Sequence, residues 1–446
     1  MPGLHFCLME TPMPNHDPAY KPRRFRNHPL IASLLSLRGN ARACVYTEPL
    51  FGIPYSLYMP FFAVYMFALG LDDRMIGIVT SVGFFVQIFT ALIGGIVTDR
   101  MGRRMATFVF DTFSWSLALL IWAFAQDYRW FLAAAVINAF NQVPNNSWVC
   151  LLVEDAEPDK LLHMHTWVNL SGQMAVFFAP LSGLLVSRIG LVPAMRILLL
   201  LAFISLTAKF IILFFSSTET SVGRRRMEET ANESLLDQLA GFRGVWKEIW
   251  YTPDTRLLLF IFVMLNLAST VTMNYHSLFL TQNIGFPEAW LPLIPMTRAV
   301  ITLIFLFAIQ AFLQRFSFRP PLLAGLGIAG FSQLLLILSV NRHPALLVLS
   351  IVGDAVGLAL VLPQKDVLTT RWVNPQERAR TFSLLYVLQL AISTPFAWLT
   401  GELSQRNRAG VFVLNMAIYL TCALLILRRK GSRTELTHVK ECADGA

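Results

Sequence analysis

The chain has 446 residues, of which 55% are hydrophobic, 12% aromatic and only 14% charged. A soluble chain carries about 25% charged residues and at this length divides into several domains, each needing its own polar shell. The charges here are too few for such shells, which excludes soluble enzymes, disordered chains and secreted disulfide scaffolds.

The apolar residues fall in blocks of about 20, the length that crosses a bilayer as a helix. The formal net charge of +9 would point to nucleic acid in a soluble chain. In a membrane chain it marks the loops kept on the inner side. Nucleic acid is therefore not an expected partner, whereas lipid is. Cys7, Cys44, Cys150, Cys422 and Cys442 show no paired spacing, so neither disulfides nor a metal site is expected. No cleavable leader is visible, because the first apolar run is too long for one.

In chain order, residues 1–46 read as a basic N-terminal tail. Leu30, Leu34 and Leu37 within it repeat at helical spacing, as in an interfacial helix. Apolar spans follow at about 49–69, 75–97, 105–125, 130–153, 164–187 and 193–216. A polar loop at 217–255 then holds Arg224, Arg225 and Arg226 and an amphipathic stretch from Leu235 to Trp250. Six more spans run at about 256–283, 290–313, 320–340, 344–369, 379–402 and 409–428, before a tail at 429–446. The expected fold is all-α: a six-helix bundle over 47–216, a central loop, and a second six-helix bundle over 256–428.

Placing the N-terminus inside puts 26 of the 36 Lys and Arg on the inner side and seven outside. That asymmetry predicts that both termini are cytoplasmic. The halves also carry faint likenesses at offsets of about 215 residues. Asp99–Arg104 falls on Gln314–Arg319, and Gly70-Leu71 falls on Gly285-Phe286. Such an offset is the mark of a duplicated bundle.

Between spans two and three stands Gly95-Ile96-Val97-Thr98-Asp99-Arg100-Met101-Gly102-Arg103-Arg104. It resembles the signature loop of the major facilitator superfamily, Gly-x-Leu-Ala-Asp-Arg-x-Gly-Arg-Arg/Lys, with Val97 and Thr98 replacing Leu and Ala. The resemblance covers residues 45–430. It implies two six-helix bundles around a central cavity, alternating access, and a gating role for Gly95, Asp99, Arg100, Gly102, Arg103 and Arg104. Read without the family, Gly95 permits close helix approach and Asp99 can cap a neighbouring helix N-terminus. The start of span eleven, Arg378 to Thr381, is the expected partner of Asp99. Arg100, Arg103 and Arg104 suit lipid phosphates. A plain basic loop would need neither the placed glycines nor the acid. Span five holds half of the family's antiporter pattern, Ala179-Pro180-Leu181-Ser182-Gly183 after Ala175, and a proline-kinked helix accounts for it equally well.

Polar groups in hydrocarbon are costly, so their placement reports pathways. Span one carries Tyr55, Tyr58 and Tyr65 on one face, with Phe62. Span four carries Asn138, Asn141, Gln142 and Asn145 on one face, then Trp148. Span seven carries Asn274 in a polar stripe, beside Tyr275 and His276. Interhelical hydrogen bonding would explain any one of these. Together they predict a cavity lining for a neutral or amphipathic small organic substrate, with rings stacking and amides hydrogen-bonding. The resemblance puts spans one, four, seven and ten around that cavity.

Ionisable groups inside the spans are Asp111, Lys209, Arg298, Asp354 and the pair Lys365 and Asp366. Arg298 and Asp354 fall at similar depth, so pairing is expected, either as a static structural pair or as a proton switch. Asp111 is a third coupling candidate, close enough to the signature loop to brace it. Lys209 has no evident partner, and His163 and His165 read as loop residues. No Walker loop, Gly-x-Ser-x-Gly or His-Glu-x-x-His appears, so no enzyme, cofactor or metal is expected. The expectation is a monomeric, proton-coupled secondary transporter in the plasma membrane. The rival reading is a transporter-fold receptor or sensor without net flux.

Overall fold

The computed structural model describes residues 34–157, 161–230, 253–305, 308, 319–341, 343–372 and 378–428. Helices and short connections make up all of them, with no strand among the described residues. The helices follow the expected spans closely. In the first half they are α1 (Gly39–Ala68), α2 (Asp73–Met101), α3 (Arg103–Phe124), α4 (Tyr128–Asn138, continued by Gln142–Val153), α5 (His163–Ile189) and α6 (Leu191–Ser216). In the second they are α7 (Pro253–Leu278), α8 (Leu293–Ile304), α9 (Arg319–Leu338), α10 (Pro344–Trp372), α11 (Arg378–Arg406) and α12 (Arg408–Arg428). Among the described residues, nine helices are long and apolar enough to cross a membrane. α4 falls short of that test because Asn138, Asn141, Gln142, Asn145 and Asn146 dilute its apolar character.

Two boundaries move. α1 begins at Gly39, inside the expected tail, and Leu37, Cys44 and Val45 are buried against Leu151, Met164 and Leu213. His163 and His165 lie on a helix, Leu161–Ala175, and not in a loop. Both are exposed there, so the apolar run beginning at Leu161 extends the helix at no burial cost. Most of the expected interfacial helix, the 235–250 stretch and the C-terminal tail fall outside the described residues.

Chain punctuation follows from local chemistry. Asp72 caps α2 by accepting from the backbone N–H of Met75 at 2.7 Å, and Asp127 caps α4 through Arg129 at 2.8 Å. Gly102 (φ 82°, ψ 158°) and Gly190 (φ 81°, ψ 165°) turn α2 into α3 and α5 into α6. Only glycine occupies that region readily. Pro144 and Pro180 lack an N–H and crowd the carbonyl four residues earlier. The backbone answers with 3₁₀ turns at Ala139–Asn141 and Val176–Phe178.

Small residues set the closest helix contacts. A Cβ added to Gly77 on α2 would lie 2.7 Å from the Ala397 carbonyl and 2.8 Å from the Gly401 Cα on α11. One added to Gly325 on α9 would lie 2.8 Å from the Gly357 carbonyl on α10. Backbones this close gain dispersion contacts that lipid tails cannot supply.

Candidate functional site

A cavity of about 200 Å³ lies against α1, α2, α3, α4 and α7. The aromatic face of α1 builds one wall. Tyr55 packs edge-on to Tyr58 at 5.6 Å and to Trp115 of α3 at 6.3 Å, and Phe62 packs against Trp122 at 4.8 Å. Asn138 of α4 and Asn274 of α7 supply amides, and Gln87 of α2 a third. No residue lining the cavity carries a charge.

Of the residues expected to line a cavity, Tyr55, Tyr58, Asn138 and Asn274 line this one. The others do not, each for a visible reason. Tyr65 is fully buried and donates its hydroxyl to the Trp122 carbonyl at 2.9 Å. Asn141 turns towards Asn138, 3.5 Å away. Asn145 is exposed on α4. Trp148 packs beside the Leu37–Cys44 cluster, with the Lys209 ammonium 5.7 Å from its ring. Tyr275 is fully buried, with its hydroxyl at the Gly77–Gly401 crossing. The cavity draws on α2 and α3 as well. The sequence does carry a signal for Gln87 and Trp115, since Gln87 stands seven residues after Thr80 and Trp115 seven before Trp122, each pair on one helix face that also lines the cavity.

The second half holds a charged cluster. Arg298 of α8 donates to Asp354 of α10 at 2.5 Å, and the Gln333 amide of α9 donates to the other carboxylate oxygen at 3.1 Å. His276 of α7 and Tyr419 of α12 lie within electrostatic reach of the pair. Three helices thus meet at one carboxylate, α10 carrying it and α8 and α9 donating to it. Asp111 is in the other half, buried on α3, where Lys209 and Glu48 are the charges acting on it. Lys209, for which the sequence offers no partner, donates to Glu48 at 2.9 Å and sits 4.8 Å over the Phe51 ring.

The signature loop is knitted to its own half and to the helix Ser221–Thr230 that follows α6. Asp99 accepts from Arg103 at 2.8 Å and from Arg226 at 2.9 Å. Arg103, only 5% exposed, also forks onto Glu154 at 3.0–3.1 Å. Glu219 accepts from the Arg103 and Arg104 backbone N–H groups at 2.9 and 3.0 Å, placing an anion on the N-terminus of α3. Arg104 donates to the Phe214 carbonyl at 2.8 Å, with its guanidinium 4.0 Å over that ring. Gly95 packs near the Asn146 amide, and Arg100 is exposed. Both Asp99 oxygens are therefore bonded to the loop itself and to Arg226. Side chains 365–384, which include the expected partner Arg378–Thr381 and the pair Lys365 and Asp366, lie outside the described residues.

At the opposite face the two halves are joined directly. Asp73, only 1% exposed, accepts two bonds from Arg408, both at 2.8 Å, and one from Ser404 at 2.6 Å. Arg74 pairs with Glu402 at 2.6 Å, and Ser81 donates to the Thr394 carbonyl at 2.7 Å. Gly183 of α5 meets the Ala289 backbone closely. Nothing in the sequence pairs Asp73 with Arg408, since they are separated by 335 positions. Nearer the Asp99 end of the helices, Gln142 donates to Tyr386 at 2.8 Å.

A mutant form of the nucleoside transporter NupG superposes with a TM-score of 0.68 at 16% identity, over 87% of this chain and 99% of that one. A POT family transporter in complex with 5-aminolevulinic acid gives 0.66 at 13%, over 89% and 98%. A D-xylose–proton symporter gives 0.66 at 13%, over 87% and 96%. These identities establish a shared fold and nothing finer. Comparison with curated proteins finds no match. The Major Facilitator Superfamily model matches residues 50–307 and 257–441, and with its signature loop in place between α2 and α3 the chain belongs to that superfamily.

Proposed function

We propose that the chain is a secondary transporter moving a small organic solute by alternating access. The observation that carries this reading is the pairing of an uncharged, aromatic cavity with a seam of ion pairs and glycine contacts that joins the two halves at one face only a few turns away. Binding at the cavity and parting of that seam would expose the solute alternately to the two sides. Nothing in the described residues offers a paired acid–base or nucleophilic constellation beside the cavity, which favours transport over catalysis.

Proton coupling through Asp354 is the finer part of this proposal. An isolated charge deep in the bilayer costs about 2.5–3.5 kcal/mol even on the mildest scale. Arg298 and Gln333 offset that cost while they hold the carboxylate. When α8 and α10 shift apart, a bare carboxylate would be stranded in a medium of low dielectric, and taking a proton removes the charge. The test uses proteoliposomes and two assays of Asp354→Asn. Accumulation driven by a pH gradient should vanish while solute exchange persists. Equal loss of both would make the pair structural.

Topology and location complete the reading. Both termini face the cytoplasm across the plasma membrane, as the distribution of basic residues indicates. Cysteines introduced near Arg129 and Arg406 should react with impermeant reagent only from outside. Reaction of the 217–255 loop from outside would overturn that orientation.

A further inference from the structure

We propose that the cavity beside α1 takes an uncharged, mostly apolar ring compound with one or two hydrogen-bonding groups, and that it rejects ions and polyols. This rests on the transporter reading and narrows its substrate. The polar atoms of the cavity wall decide the matter. Asn138 donates its amide to the Ser114 carbonyl at 3.1 Å, and its oxygen faces the Asn141 amide at 3.5 Å. Asn274 donates to the Thr80 hydroxyl at 3.1 Å. Thr80 in turn donates to the Ile76 carbonyl at 3.0 Å, and Thr270 to the Asn266 carbonyl at 3.0 Å. The hydroxyls and amides that look like a polar lining are thus each engaged once already, the threonines through their protons and each asparagine through one N–H.

What remains for a ligand is the Gln87 amide, the Tyr55 and Tyr58 hydroxyls, the Asn274 oxygen and the indole N–H groups of Trp115 and Trp122. The rest of the wall is Phe62, Phe84, the ring faces of Trp115 and Trp122, and methionine or aliphatic surface. A pentose or hexose would lay four or five hydroxyls against a wall made mostly of rings and aliphatic surface, and each group left unpaired there carries a desolvation penalty. A carboxylate or ammonium would meet no counter-charge, since no lining residue is charged. A ring gains edge-to-face contacts with the tyrosines and tryptophans and loses nothing. The volume of about 200 Å³ admits a single substituted ring.

Gly83 provides the control. It lines the cavity, and a Cβ added there meets only Ala135, at 3.9 Å. Gly83→Leu should therefore fill the space without forcing the helices apart. The experiment measures thermal stabilisation of the purified full-length protein by four probes of similar size: 2-phenylethanol, 2-phenylethylammonium, phenylacetate and D-xylose. Binding raises the unfolding midpoint by mass action. The expected result is a saturable rise with 2-phenylethanol alone, absent in Gly83→Leu, whose own midpoint is not lowered. A rise with xylose or either ion that Gly83→Leu abolishes would overturn the proposal. So would no rise with 2-phenylethanol, or a rise that survives in Gly83→Leu. The readout is binding and not flux, so these failures leave the transporter reading standing. Conversely, a compound that binds yet shows no counterflow in proteoliposomes would sink the transporter reading and spare the ligand class.

Discussion

Two glycines with nearly the same backbone separate conformational strain from crowding. Gly102 and Gly190 sit at φ 82° and 81°, where any other residue is strained by about 1–3 kcal/mol. A Cβ at Gly190 would meet nothing within 4 Å, whereas at Gly102 it would lie 2.5 Å from the Glu219 carboxylate. Gly190→Ala should therefore cost only the strain. Gly102→Ala should cost the same strain and also push Glu219 off the two N–H groups at the start of α3. Charge-assisted bonds of that kind contribute about 1.5–3 kcal/mol. Thermal unfolding of the purified variants checks this, and equal midpoints would show that the Glu219 contact contributes nothing. Position 102 is legible in the sequence as part of the signature. Its reason is not, because Glu219 lies more than a hundred residues further along the chain.

At the scale of the helix, the seam between α2 and α11 is set by the absence of side chains. Gly77 and Gly401 face each other, and the atoms a new Cβ would strike are mostly backbone, which cannot swing aside. Gly77→Ala should hold the halves apart at this face. Cysteines at Ser81 and Thr394, whose native contact is 2.7 Å, should crosslink readily in the parent and several-fold less in Gly77→Ala. Gly83→Ala, further along α2 with open space, should leave the yield unchanged. Apart from the start of α1 at Gly39, inside the expected tail, the spans are legible to within a few residues, because twenty apolar residues in a row have one stable state in a bilayer. Which helix touches which is not. Periodicity marks a face but says nothing of its partner, so the sequence offers Trp148 and Tyr275 as lining when they fill interfaces. The Arg298–Asp354 contact is foreseeable from depth alone, since two opposite charges at one level in hydrocarbon have few other ways to be satisfied.

For the whole molecule, the described residues hold the two faces differently. At the Asp99 face they form a network within the first half and its trailing helix, closed by Arg226 and Glu219. The Asp73 face is a bond between halves. Under the proposed alternating access the second kind of contact would break in every cycle, so its strength would set a population and not merely a stability. Asp73→Asn removes the charge from a carboxylate that is 1% exposed and accepts three side-chain bonds. Only one of the two bonds to the guanidinium can survive, because the new amide nitrogen donates and cannot accept, a loss of about 2 kcal/mol, which is about a 30-fold shift towards the state parted at that face. The expected signature is a cysteine at Thr80, beside the cavity, becoming reactive to impermeant thiol reagent from the Asp73 side while the protein still inserts and folds. Arg408→Gln should give a shift in the same direction, and the double variant should add little to either single one, since both remove the same bond. Unchanged reactivity in all three would mean that the ion pair fastens the halves without gating them, and the gate would then have to be sought in the glycine seam.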